Sequence, residues 1–187
     1  MSHKVERNTE AMKILAISGS LRAASINSAF CRAAARLAPA PVQVQVFAGL
    51  GELALFNPDL ELCPPLSVRE FQVAVGQANA LLIASPEYAH GISGAMKNAL
   101  DWLVSDQGFV GKPVAIVNTS PRAHIAQAAL AEILRTMSAH LLQEASQTLP
   151  LLGALVTEEA ICASPEISLR IQGILLAMAA ARRTGGA

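Results

Sequence analysis

Charge of either sign is scarce in this chain and balanced where it occurs. The 187 residues carry 14 Lys and Arg against 14 Asp and Glu, and charged residues make up 15% of the total. A protein that grips nucleic acid or an anionic membrane through a broad basic face needs a positive excess, and none is present. Long apolar runs are also missing: the longest lies between Ile174 and Ala181, far short of the ~20 residues that cross a bilayer. Met1 to Glu10 is polar and holds no apolar h-region, so no secretory signal is read there. A flexible tail over residues 1–11 and a cytoplasmic location are expected. Cysteine is limited to Cys31, Cys63 and Cys162, with no C-x-x-C pair. That excludes a disulfide framework and reads as buried, reduced thiols. No two histidines stand at metal-ligand spacing, so no metal is expected.

Two common nucleotide signatures are absent. Without a G-x-x-x-x-G-K-[ST] stretch there is no Lys–Mg²⁺ chemistry on a triphosphate. No G-x-G-x-x-G follows the first predicted strand, and no acid lies about 20 residues further on to hold a ribose hydroxyl. Gly49–Ala54 does match G-x-G-x-x-A. It follows the second predicted strand, however, and Asn57-Pro58 breaks any helix after it.

What is present begins with Ser18-Gly-Ser-Leu-Arg-Ala-Ala-Ser-Ile-Asn27. The apolar run Ile14–Ile17 leads into it, and Ala29, Phe30, Ala33, Ala34 and Leu37 recur after it at helical spacing. A loop between a buried strand and a helix start lies at a strand's carboxyl end, where α/β proteins bind ligands. Its composition suits an anion. Ser18, Ser20, Ser25, Asn27 and Ser28 carry donors, Arg22 can fork two phosphate oxygens, and the helix start adds free N–H groups. From Ala11 to Gly51 there is no Asp or Glu. The plainer reading is a polar turn that only caps a helix.

Strands are predicted at 13–17, 42–47 (alternating, hence an edge), 80–84 (continuously apolar, hence covered on both faces) and 114–118, with a fifth held within 141–149. Helices are predicted from the loop to about Ala38, from a capping box at Ser67–Glu70 to about Asn79, over 95–105, from His124 to about Ala139, and from Ser164-Pro165-Glu166 to Arg182-Arg183. The fourth includes Ala128, Ile133 and Met137 among its apolar positions. With residues 12–187 as one domain, this pattern predicts a doubly wound sheet of five parallel strands, order 2-1-3-4-5, with helices on both faces. The loops after strands one, three and four then meet at one end.

Gly19-Ser-Leu-Arg22 with Ser25 and Asn27 reads G-S-L-R-x-x-S-x-N. Pro86-Glu-Tyr88 with Gly94, Lys97-Asn98 and Asp101-Trp102 reads P-E-Y-x-x-x-x-x-G-x-x-K-N-x-x-D-W. In order, and after the strands stated, these motifs resemble the NADPH-dependent FMN reductase family, which includes quinone, chromate and azo reductases; the similarity covers about residues 12–150. The resemblance implies a flavodoxin-like fold that binds FMN, with its phosphate on Ser20, Arg22, Ser25 and Asn27. Leu21 would share that loop with its side chain packed away. It further implies Pro86, Glu87 and Tyr88 beside the isoalloxazine, His90 and Gly91 near its open edge, and Ser120, Pro121 and Arg122 on the ring from the loop after strand four. Ala89 and Ser93 stand where many relatives have Asn and Pro.

The implied reaction is hydride transfer from NADPH or NADH to the flavin, then on to a small-molecule acceptor at the same face: a quinone, free flavin, azo compound or metal oxyanion. No catalytic side chain is required. Arg122 is the nearest candidate cation for the 2′-phosphate of NADPH. A homodimer or homotetramer is implied, with Trp102, Leu103 and Val104 offering apolar surface. Glu87 stands open between ring neighbour, helix cap and interface partner, Trp102 between core and interface; Lys97 and Asp101 read as a helix-surface pair. The alternatives are a flavodoxin-like electron carrier without pyridine-nucleotide activity, which the neutral charge disfavours, and a flavin-free binding protein on the same fold.

Overall fold

Alternation of small apolar side chains along three central strands divides the core into two layers. The computed structural model describes residues 11–153 and 156–184, without the side chains of 182–184. The expected tail therefore lies, except for Ala11, outside the described residues, as do the Arg182 and Arg183 side chains. The elements in order are β1 (Met12–Ser18), α1 (Ile26–Leu37), β2 (Val42–Phe47), α2 (Leu66–Gln77), β3 (Ala80–Ala84), β4 (Glu87–Tyr88), β5 (Gly91–Ile92), α3 (Gly94–Asp101), β6 (Pro113–Ile116), α4 (His124–Thr136), β7 (His140–Leu141), α5 (Glu158–Ala163) and α6 (Pro165–Thr184). The main sheet is parallel and runs β2-β1-β3-β6-β7. With the β4–β5 hairpin set aside, that is the expected order, and β2 is the expected edge.

In β1, Met12, Ile14 and Ala16 face the layer of α1 and α6, whereas Leu15 and Ile17 face that of α2, α3 and α4. In β3, Ala80, Leu82 and Ala84 join the first layer, Leu81 and Ile83 the second. Side-chain alternation along a strand makes one sheet serve two cores. The first layer is built on Ala29, Ala33 and Ala34 of α1, whose short side chains let that helix lie close to β1. The helix that carries the first loop is thereby seated firmly.

Several expectations are corrected. The fifth strand is only His140–Leu141, plus an isolated bridge from Asn118 to Thr148. Between them Leu142 and Ala145 both enter the first core layer, a three-residue spacing that demands a turn, and Ser146 Oγ accepts the Ile116 N–H that a strand would have bonded. The capping box at Ser67 is not formed. Pro65 is the N-cap, and its carbonyl accepts from Val68 and Arg69, because its extended backbone lets the helix begin at once. Helix α3 ends at Asp101, and Trp102 and Leu103 are each 1% exposed, so of the anticipated interface surface these two are core and only Val104 is exposed. Trp102 Nε1 donates to the Ala54 carbonyl at 2.7 Å. Ala128 of α4 is exposed; that helix buries Ala126, Leu130, Ala131 and Leu134. Helix α5 was not anticipated. Thr157 caps it, and Arg32 holds it to α1 through Glu158 at 3.0 Å.

The cysteines also divide. Cys31 is buried, Cys162 half-buried and Cys63 exposed, so uniform burial is corrected. Burial pushes the Cys31 thiol up to about 12 and raises that of Cys162, which starves both of the reactive thiolate. A thiol-disulfide reagent at pH 8 is therefore expected to titrate Cys63 rapidly, Cys162 slowly, and Cys31 only after denaturant is added. Labelling of Cys31 in the folded protein at the rate of Cys63 would contradict this packing.

Candidate functional site

The loops after β1 and β3 meet closely because Gly19 has no side chain. A Cβ at position 19 would lie 2.3 Å from Ser85 Oγ and 2.9 Å from Ser85 Cβ, both inside any allowed contact, and a tight 3.1 Å from Ser85 Cα. Gly19 N donates to the Ala84 carbonyl at 2.8 Å, and the Gly19 carbonyl accepts from Ser93 Oγ at 2.5 Å. Ser93 is also the N-cap of α3, where its oxygen accepts from Met96 N. One hydroxyl thus joins the first loop to the helix that follows the second.

The third loop is joined in a comparable way. Asn27, almost fully buried in the first turn of α1, accepts from Thr119 Oγ1 at 2.8 Å. Asn118 folds its own loop, accepting from Ser120 N and donating to the Ala123 carbonyl. Ser120 Oγ accepts from Arg122 N. Neither Asn118 nor Thr119 was among the expected site residues, although their place at the carboxyl end of a strand marks them.

Between these loops lies a cleft of about 590 Å³, within the range of small-molecule sites. Ser20, Arg22, Ser25 and Asn27 line one end; Pro86, Glu87 and Tyr88, and then Ser120 and Arg122, line the rest. Leu151, Leu152 and Val156 add an apolar wall that no motif foretold. Pro121, His90 and Gly91 lie outside the lining. Leu21 is 62% exposed rather than packed away. It lies over Gly51, whose missing side chain leaves room for it, in a neighbouring groove. Ser18 and Ser28 hydrogen-bond each other at 2.9 Å, and that bond takes the proton of one of two hydroxyls expected to face an anion.

Electrostatics single out the Arg22 end. No acid stands in the first turn of α1, and Ser25 caps the helix by accepting from Ser28 N; the other first-turn amides have no intrahelical acceptor. Among the described residues no carboxylate lies within 4.0 Å of Arg22 or Arg122, whereas Arg32 is held by Glu158. The one carboxylate among the described lining residues is Glu87. Its Oε2 accepts from Ala126 N at 2.9 Å, and its Oε1 lies 3.5 Å from His90 Nδ1. This donor set, one guanidinium, hydroxyls, an amide and a helix start, fits a phosphate monoester. The longer remainder, apolar on one side and edged by turns, fits a planar ring. Among the described residues no His, Cys, Asp and Glu cluster could hold a metal.

A doubly wound parallel sheet with a ring-sized cleft at the carboxyl ends of its strands defines a flavodoxin-like protein. Residues 12–150 match the model of the NADPH-dependent FMN reductases, and the chain belongs to that family. It is 40% identical over 112 residues to an NAD(P)H-dependent FMN reductase of Pseudomonas aeruginosa, a match spanning 58% of this chain and 60% of the relative. It is 39% identical over 113 residues to a 2-hydroxy-1,4-benzoquinone reductase of a Burkholderia species, spanning 59% and 61%. The chain thus matches about 60% of the length of these curated relatives. Among solved structures it resembles FerB, a flavoenzyme NAD(P)H:(acceptor) oxidoreductase from Paracoccus denitrificans, with a TM-score of 0.75 and 25% identity over 93% of this chain and 98% of that one.

Gly19→Ala is expected to destabilise the fold by about 1–3 kcal/mol, the usual cost of overpacking, and to lower the urea midpoint accordingly. An unchanged midpoint would show that the crossing of the two loops is looser than described.

Proposed function

We propose that this protein is an NAD(P)H-dependent FMN oxidoreductase that passes reducing equivalents from NADPH or NADH to a small-molecule acceptor: a quinone, free flavin, azo compound or metal oxyanion. The observation that carries the reading is the uncommitted guanidinium of Arg22 beside Ser20, Ser25 and Asn27 at the start of α1. FMN in this cleft supplies the hydride-accepting and hydride-releasing ring. The chain's own residues bind and orient it. Arg22, Ser20, Ser25 and Asn27 hold the phosphate. Pro86, Glu87, Tyr88, Ser120 and Arg122 flank the ring, and Leu151, Leu152 and Val156 keep water from one side. Tyr88, 55% exposed at the mouth, offers an amphipathic ring for a stacking partner. Arg122 is the cation on the ring side available to a cofactor phosphate. The balanced net charge favours this reading over an electron carrier. A cytoplasmic location is part of the proposal; no described helix is long and apolar enough to cross a membrane.

The proposed assembly is a homodimer or homotetramer. With Trp102 and Leu103 in the core, the apolar surface that supports it is Leu55, Leu62, Leu66 and Val104, of which Leu62 is fully exposed. The Ser105–Glu61 hydrogen bond at 2.7 Å sets the turn after α3 against that segment. A C₂ contact there is self-complementary by symmetry. Sedimentation is expected to show at least a dimer at micromolar concentration, and Leu62→Asp to shift it toward monomer. A monomeric wild-type protein would refute the assembly.

FMN is expected to bind more tightly than riboflavin, and Arg22→Ala to weaken FMN by about 1.5–3 kcal/mol, the scale of a hydrogen bond to a charged group. Equal affinity for riboflavin would remove the phosphate assignment. In anaerobic stopped-flow, NADPH or NADH is expected to bleach the bound flavin. If dithionite bleaches it and neither nucleotide does, the carrier reading replaces this one.

A further inference from the structure

Helix α4 begins without a cap of its own. Its N-cap residue is Ala123, which has no side-chain acceptor, and no acid lies in its first turn. The amide that an N-cap oxygen ordinarily takes, Ala126 N at the third helical position, donates instead to Glu87 Oε2 at 2.9 Å, across 39 residues of sequence. The remote cap is a carboxylate at the positive end of a helix dipole, a favourable pairing in a site largely shielded from water.

Glu87 belongs to a hairpin that cannot support itself. Strands β4 and β5 have two residues each, with Glu87 opposite Ile92 and Tyr88 opposite Gly91. The turn between them is Ala89 and His90, at φ +48° and +60°. Such two-residue turns ordinarily use Asn and Gly, because a left-handed backbone costs free energy for a residue with a Cβ. An isolated hairpin of this length is unstable, so the left-handed pair must be held from outside. The Ser93–Gly19 bond secures the far end. At the near end the Glu87–Ala126 bond secures β4. Tyr88 and Pro86, on either side of Glu87, line the cleft.

We infer that Glu87 is a positioning residue for the ring-side wall: its carboxylate caps α4 and so holds the Ala89–His90 turn, which sets Pro86 and Tyr88 against the cofactor. Although Glu87 lines the cleft, one of its oxygens is bound to Ala126 N and the other faces His90, so its carboxylate acts through the hairpin. The inference rests on FMN as the ligand of the cleft.

The test is FMN affinity by flavin-fluorescence quenching in wild-type protein, Glu87→Gln, Glu87→Ala, Ala89→Gly and the double variant Glu87→Ala/Ala89→Gly. Gln retains an oxygen for the Ala126 amide, so Glu87→Gln is expected within about threefold of wild type, and Glu87→Ala at least about tenfold weaker. Glycine adopts the left-handed backbone without steric cost. The loss on Glu87→Ala is therefore expected to be at least about threefold smaller in the Ala89→Gly background, a coupling that a double-mutant cycle isolates. Equal losses for Gln and Ala would assign Glu87 a charge contact with the cofactor and overturn the inference. So would an absence of coupling to position 89. If Glu87→Ala alone does not fold, the same comparison is read as recovery of folded protein by Ala89→Gly, and no recovery overturns the inference. Wild-type protein that binds no FMN would instead defeat the reading of the cleft.

Discussion

The structure depends on one absence of matter: the hydrogen in place of a side chain at Gly19. There the first loop passes within van der Waals reach of the Ser85 backbone while bonding to Ala84 and Ser93. Three loops from three strands can share a cleft only if their backbones approach so closely, and a Cβ would hold two of them apart. The rest of the site is arranged around that crossing. Ser93 carries it to α3, and Asn27 carries the helix after the first loop across to Thr119.

Around this framework the charges are distributed so that cations are left over in the cleft. The carboxylate at its rim caps α4, and Glu158 is taken by Arg32, further along α1. Arg22 and Arg122 keep their donors. In a chain of zero net charge, this cleft keeps two cations because the one carboxylate among its described lining residues is committed to α4. Total charge therefore says little about such a site, and the local pairing says most.

Local signals were read well where they were strong. Val42–Phe47 alternates and is an edge strand; Ala80–Ala84 is apolar throughout and is covered on both faces. The Lys97–Asp101 pair formed at the spacing expected, at 2.6 Å. Signals failed where tertiary contacts outweighed them. Residues 141–149 look like a strand, yet Leu142 and Ala145 take core positions at turn spacing. Leu21, expected to be packed away in its loop, is exposed and lies over Gly51. Trp102 and Leu103 end a helix whose surface looks available, but the turn after Asp101 folds both inward.

The amino-acid sequence by itself determined the order of the main-sheet strands, the doubly wound topology and the polar loop over residues 18–27 between β1 and α1, because periodicity, chain handedness and a strand-to-helix loop are properties of near neighbours. Only the tertiary structure decided that Asn118, Thr119 and the Leu151–Leu152 wall complete the cleft, that Glu87 caps a helix 39 residues away, and which hydroxyls remain free for a ligand. Each of these is a choice among partners distant in sequence, and such choices are settled by packing, since a buried polar atom must find whichever acceptor or donor the folded chain brings within reach.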